Sequence, residues 1–528
     1  MNTAQLRPLA VLERFGPHDG TLGAFFAARA RVAPHAPWLA GEIPAWRYGD
    51  AQAEAHRVAS RLAGLGVRRG DRVALVALNS DAAPLLLLAL ARLSAMLVPT
   101  NPALTHDEMA YILGHCEPRL VIAQSESLAH VSGVCATIDA RPRVLTPEAL
   151  AAQAPDPARL ADWPAPRADD PLVIIYTSGT TGFPKGVVHS QRNYVLAAEA
   201  FVERMHLQPG ERLMAILPFF HINALFYSLG GAIACGGAVV TMPRFSASQF
   251  WQVAAAHGAT QLNILAAVGN ILPKRPRGEF VPGHRIRKIY GGPISAEMER
   301  AFREEFGVPD LIEGFGMSEI PGAMNNPWDG PRKPGSIGRP ARHPRYTQFA
   351  EARVVDDEGR EVPHGTEGEL LVNTPIAMVE YFRDPAQTAA AFAGGWLRTG
   401  DLVRRDEDGY FYFVARKKDI IRRRGENIAG AELDRIIGEH PEVLEAAAIG
   451  VPAPLGDEDI LAVVVPRPGR SPSPQSIIDW CAPRLAAMKL PRYVAFAQEI
   501  PHTPSQRVMK HLLKKDASLL ARAWDREA

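Results

Sequence analysis

The sequence predicts an α/β protein, with a large N-terminal domain of layered β-sheets and helices followed by a small α+β domain. Three observations carry this expectation. At 528 residues the chain exceeds what one hydrophobic core organises, so at least two domains are expected. Short apolar runs alternate with helical patterns along most of the chain, which implies a parallel sheet covered by helices. The last stretch, roughly a hundred residues, carries a pattern of its own and is long enough to fold separately.

In chain order, residues from about Leu22 to Leu65 carry helical patterns, with Asp50 placed to cap the segment ending at Leu62. Arg72-Val-Ala-Leu-Val-Ala-Leu78 reads as a buried strand. The apolar stretch Pro84 to Val98 follows; broken by Arg92 and too short to span a bilayer, it reads as a core helix running from about Ala82 to Met96. Thr105 and Glu108 form a capping box for the next helix, and Arg119-Leu-Val-Ile-Ala123 is the next strand. Pro155 to Pro171 is a connecting segment that leads into the strand Leu172-Val-Ile-Ile-Tyr176. Further strands are expected at Arg212–Leu217, Ala238–Thr241, Gln261–Leu265 and Lys288–Gly292. In the last stretch, a helix from about Gly430 is followed by paired strands at 445–451 and 459–465 and by a second helix from about Pro474 to Ala487.

Composition narrows the function. A net charge of +1 argues against a general nucleic-acid binder, whose affinity rests on excess Lys and Arg. The four cysteines lie far apart with no metal spacing and read as buried thiols in a reducing, cytoplasmic compartment. The N-terminus lacks the apolar core of a signal peptide, so none is expected, and no integral membrane segment is expected either.

The chemistry concentrates in Tyr176-Thr-Ser-Gly-Thr-Thr-Gly-Phe-Pro-Lys-Gly186. Glycines (Gly179, Gly182, Gly186) let a backbone approach a ligand, and their N–H groups form a nest for anionic oxygens. Hydroxyls from Thr177, Ser178, Thr180 and Thr181 add donors, and Lys185 adds a compact charge, a combination suited to a polyphosphate. It is not a Walker A loop, because Gly186 stands where Ser or Thr would hold magnesium. The string resembles the phosphate-loop signature of the adenylate-forming superfamily, which comprises acyl-CoA synthetases, beetle luciferases and peptide-synthetase adenylation domains.

Four further motifs in the same order extend this resemblance over nearly the whole chain, and with it come role assignments. His221, after two phenylalanines at a strand end, matches a residue between the ATP site and the acid pocket; a lone histidine is as often structural. Gly291 and Gly292 match glycines along the acid pocket and adenine, and locally also fit a plain tight turn. In Glu313-Gly-Phe-Gly-Met-Ser-Glu319, Gly314, Phe315, Gly316 and Met317 match the segment packed against adenine. Ser318 there offers a hydroxyl to phosphate, and Glu319 a hard oxygen ligand to Mg²⁺. This segment nearly matches the hydrolase elbow GxSxG, but Ile320 replaces the last glycine.

Asp401, in Thr-Gly-Asp, matches the aspartate that accepts hydrogen bonds from both ribose hydroxyls. Arg416 matches an arginine on ribose and phosphate, and Lys418 the pivot of a mobile C-terminal domain. The resemblance thus implies a boundary between residues 1–416 and 417–528. The loop around Gly425 matches one that enters the site for the second half-reaction; its basic run is either a solvated face or a receiver for coenzyme A phosphates.

Near the end of the chain, the family's closing Gly-Lys is replaced by Gln506-Arg507. Arg507 retains the charge needed at carboxylate and α-phosphate, though Arg and Lys are not equivalent, and Lys510 is the other candidate. The resemblance implies an ATP- and Mg²⁺-dependent acid–CoA ligase, with Lys185, Glu319, His221 and Arg507 or Lys510 as its catalytic residues. Coenzyme A and a small carboxylic acid are the expected partners. Two alternatives are an adenylating enzyme that loads a carrier-protein thiol and a non-catalytic nucleotide-binding paralogue. Residues 317–326 and the segment at Arg244 faintly resemble carnitine/crotonobetaine-type ligases, which favours a short, partly polar or medium-chain acid.

Overall fold

The apolar runs become the strands of two sheets within the first of two compact units. The computed structural model describes residues 5–177, 184–423, 426–453, 458–502 and 508–527, with Lys418, Arg422, Glu426 and Asn427 described by backbone alone. One unit gathers Met1–Ala352 and Val372–Leu397, and the other Arg353–Leu371 and Arg398–Ala528.

Among the described residues, the first unit holds a seven-stranded and a nine-stranded sheet. The seven-stranded sheet centres on Met96–Thr100, which pairs in parallel with Arg72–Val76, itself paired in parallel with Leu120–Ala123. Its other side runs through Pro171–Thr177 and Lys185–Ser190 to Glu380–Tyr381 at the edge. In the nine-stranded sheet, Gln261–Leu265, Lys288–Gly292 and Asp310–Met317 are parallel neighbours. Helix Gln191–Met205 is buried along nearly its whole length and packs against the helical segment Asn223–Gly230. Glu211 and Lys288, both buried, form an ion pair, and the Lys288 ammonium also donates to the His206 carbonyl at 2.7 Å.

Two expectations are corrected. The apolar stretch from Pro84 to Val98 is two elements, helix Ala82–Leu93 and strand Met96–Thr100. Ser94 breaks the helix by adopting a left-handed conformation (φ 52°), so the chain turns back into the sheet. Asp50 does not cap its helix, which begins at Tyr48; it lies in the first turn, where a negative charge still suits the helix dipole. The capping box at Thr105 and Glu108 is present as expected. Among the described residues, no helix is long and apolar enough to cross a membrane.

The second unit carries strand Phe411–Arg416 and, from Arg398 on, its antiparallel partner Trp396–Arg405, so that Asp401 lies opposite Arg416. It also holds a four-stranded sheet in which Val443–Pro452 and Glu458–Pro466 are antiparallel. Helices Gly430–Gly438 and Pro474–Cys481 pack on the core of this sheet, the second ending sooner than the sequence suggests. This is an α+β arrangement, as expected.

Candidate active site

Thr177 ends one strand and Lys185 begins the next, the two residues facing each other across an antiparallel pair. The phosphate loop is therefore the connection of a hairpin rather than the strand-to-helix turn of a Walker A site. Ser178, Gly179, Thr180, Thr181 and Gly182 lie outside the described residues, as do Gly425 and Arg507.

Two contacts join the lysine-bearing strand to the Glu319 segment. His189 Nε2 lies 2.7 Å from the Ser318 carbonyl, which can only accept, so the proton sits on Nε2. Burial pushes the His189 imidazole down to about 4, keeping it neutral near pH 7. The second contact runs through Tyr381, a residue that the sequence reading did not single out. Its hydroxyl donates to Glu319 Oε1 at 2.8 Å, and the Lys185 ammonium lies 4.9 Å from its ring centroid. Burial, and then the neighbouring Glu319 carboxylate, raise the Tyr381 phenol well above its ordinary value, so it stays a donor. Glu319 itself is 8% exposed.

The glycines of this region are explained by close strand packing. A Cβ on Gly314 would come within 2.6 Å of the Tyr290 hydroxyl, and one on Gly316 within 2.6 Å of the Tyr227 hydroxyl. Gly291 and Gly292 lie within strand Lys288–Gly292, not in a turn, and face the Ile264 and Gly314 carbonyls in the same manner. Phe315 and Met317 are half-buried on strand Asp310–Met317, opposite Met324 and Ile320. On that strand, burial pushes the Glu313 carboxyl up to about 7. His221 is half-buried just before segment Asn223–Gly230, its ring 4.8 Å from that of Phe220.

In the second unit, Asp401 is fully buried and its Oδ1 lies 2.7 Å from Arg416 Nε, so two separately noted motifs on adjacent strands meet in one ion pair. Lys418 lies on the short turn Lys417–Asp419. Lys510 begins a helix, and its ammonium pairs with Asp434 at 2.6 Å, its side chain 10% exposed.

Comparison with known proteins gives concordant results. The family described as AMP-binding enzyme matches residues 26–382, and the AMP-binding enzyme C-terminal domain matches residues 432–507. A sulfoacetate–CoA ligase from Cupriavidus necator is 36% identical over 93% of this chain and 96% of its own length. A crotonobetaine/carnitine–CoA ligase from Shigella dysenteriae is 31% identical over 90% and 94%. The crystal structure of ATP-bound MatB from Rhodopseudomonas palustris superimposes with a TM-score of 0.81 at 28% identity, covering 97% of this chain and 99% of that one.

Proposed function

Because the chain belongs to the AMP-binding enzyme family and is an adenylate-forming CoA ligase, we propose that it activates a short, partly polar carboxylic acid and transfers its acyl group to coenzyme A. A carboxylate oxygen attacks the α-phosphorus of ATP, the bond from that phosphorus to the bridging oxygen breaks, and pyrophosphate leaves. The coenzyme A thiol then gives up its proton and attacks the acyl carbon, and AMP leaves. The observation that carries this reading is the meeting of Lys185 and Glu319 around Tyr381, which sets a phosphate-binding cation beside a buried carboxylate.

This chain's residues position and neutralise charge more than they exchange protons. Lys185 and the hydroxyls of residues 177–181 take up the polyphosphate. Asp401 accepts the ribose hydroxyls and Arg416 stays beside it. Magnesium fits the donor chemistry, since the ion characteristically takes one or two carboxylates and completes its shell with phosphate oxygens and water. Glu319 would hold it, and it would supply charge neutralisation at the phosphates. The charge opposite the reacting carboxylate is assigned to Arg507, because the Lys510 ammonium is engaged by Asp434 within its own unit. His221 lines the acid pocket. The resemblance puts the start of the mobile domain at 417 with Lys418 as its pivot, a position that falls within the second compact unit rather than at its edge, on the turn Lys417–Asp419. A cytoplasmic setting agrees with the four buried free cysteines.

Pyrophosphate release from Mg-ATP, measured over sulfonated, betaine-type, dicarboxylic, aromatic and short- to long-chain fatty acids with and without coenzyme A, tests this function. Release that depends on a short polar acid and becomes multi-turnover with coenzyme A is expected. Turnover with long-chain acids alone removes the proposed substrate class. Release that stays near one equivalent with coenzyme A present points to a carrier-protein thiol instead.

A further inference from the structure

The stretch from Met378 to Phe382 is bonded alternately to the two segments that carry the site. The Met378 N–H donates to the Glu319 carbonyl at 2.7 Å. The Val379 and Phe382 N–H groups donate to the Val188 and Gly186 carbonyls at 2.8 and 2.7 Å, both on the Lys185 strand. Between them Tyr381 is anchored by its own N–H, which donates to Thr388 Oγ1 at 2.9 Å. Its hydroxyl reaches Glu319 Oε1, and its ring faces the Lys185 ammonium.

We infer that Tyr381 is a positioning residue with two tasks: its hydroxyl aims the Glu319 carboxylate, and its ring keeps the Lys185 ammonium from closing onto that carboxylate. The inference rests on the ATP-site reading above. A carboxylate accepts through both oxygens, so one hydrogen bond at Oε1 orients the group without saturating it. Both groups contact the same side chain in a largely buried site, where an ammonium and a carboxylate freed from it would attract one another into a direct ion pair. Such a pair would take the cation from the phosphates and the carboxylate from the metal together. An aromatic face holds an ammonium only modestly and releases it readily to an arriving phosphate.

The test uses the full-length protein and the variants Tyr381→Phe, Tyr381→Leu and Tyr381→Leu combined with Glu319→Gln. ATP binding is measured by calorimetry in EDTA and with saturating Mn²⁺, alongside thermal unfolding. The Phe variant keeps the ring and loses the hydroxyl. It is expected to bind ATP normally in EDTA and to lose about tenfold of the tightening that Mn²⁺ confers. The Leu variant is expected to bind ATP more weakly in EDTA as well, and Glu319→Gln in that background is expected to restore the metal-free affinity, because no carboxylate remains to trap Lys185.

A purely structural role for Tyr381 predicts no such rescue. Unchanged Mn²⁺ tightening in the Phe variant overturns the aiming role. A metal-free defect that persists in the double variant overturns the spacer role. Wild-type protein in the same titration tests the site reading itself: no ATP binding there overturns both readings, whereas normal wild-type binding with unaffected variants overturns only the assignment of Tyr381.

Discussion

Replacing Asp401 by asparagine isolates one charge at the centre of the proposed ribose site. The amide preserves the size of a fully buried side chain, so no cavity opens and the change is electrostatic. A hydrogen bond to a charged acceptor contributes about 1.5–3 kcal/mol against about 0.5–1.5 for a neutral one, a difference near 1.4 kcal/mol or about tenfold in ATP affinity. The substitution also removes the counter-charge 2.7 Å from Arg416 Nε, leaving at most a neutral acceptor there. With 27% of the Arg416 side chain exposed, water can replace part of that interaction. The stability cost is then about 1–2 kcal/mol, below that of breaking a wholly buried pair. For a unit of this size that lowers the unfolding temperature by about 4 °C.

The assay is calorimetric titration of wild type and Asp401→Asn with Mg-ATP, 2′-deoxy-ATP and 3′-deoxy-ATP. The loss should be largest for ATP and should shrink when a hydroxyl is removed, because the missing charge and the missing hydroxyl report one interaction. A folded variant with unchanged ATP affinity refutes the reasoning. So does an equal loss for all three nucleotides, which would place the carboxylate away from the ribose.

Three further outcomes are expected. Arg507→Ala should reduce acid-dependent pyrophosphate release by about 10²–10³ with little change in unfolding temperature, whereas Lys510→Ala should destabilise the protein by about 3 kcal/mol in denaturant unfolding by leaving Asp434 unpaired; the reverse pattern would transfer the catalytic role to Lys510. Lys288→Met should cost about 3–5 kcal/mol in the same measurement, because it strands the buried Glu211 carboxylate. Glu313, pushed up to about 7 by burial, binds its proton more tightly folded than unfolded, so its contribution to stability is present below the ordinary carboxylate range and is lost as pH rises towards 7. Glu313→Gln should therefore raise the unfolding temperature at pH 8 more than at pH 5, and equal shifts at the two pH values would remove Glu313 as the source.

Much of the fold is legible in the sequence because short apolar runs bounded by turn residues mark buried strands. The legibility fails where burial is complete on all sides. Between Pro84 and Val98 every position but Arg92 is buried, so no polar face separates the helix from the strand that follows, and only the left-handed Ser94 marks the break. The candidate site residues are read from motifs that concentrate their chemistry locally, at Thr177–Gly186, most of which lies outside the described residues, and at Gly314–Glu319. Tyr381 is not, because its importance comes from strand pairing: a two-residue strand beside Lys185–Ser190 carries it to Glu319, and nothing in Glu380-Tyr-Phe382 itself announces either neighbour. The pairing of Asp401 with Arg416 is a matter of register in the same way, two separately noted residues brought opposite by an antiparallel hairpin.

Strand Glu380–Tyr381 also bears on how the protein is made. Until it emerges from the ribosome, Lys185–Ser190 is the outermost strand of its sheet, with a row of unpaired amides and carbonyls beside the phosphate loop. For the time needed to synthesise about two hundred residues, or roughly 10–40 s at ordinary elongation rates, the nascent chain carries an open edge that could recruit another chain. The last strand to join thus closes the edge and supplies Tyr381 in one event. Chains truncated before residue 380 should accordingly aggregate more readily than chains released after residue 382, and equal aggregation of the two would remove the open edge as the cause.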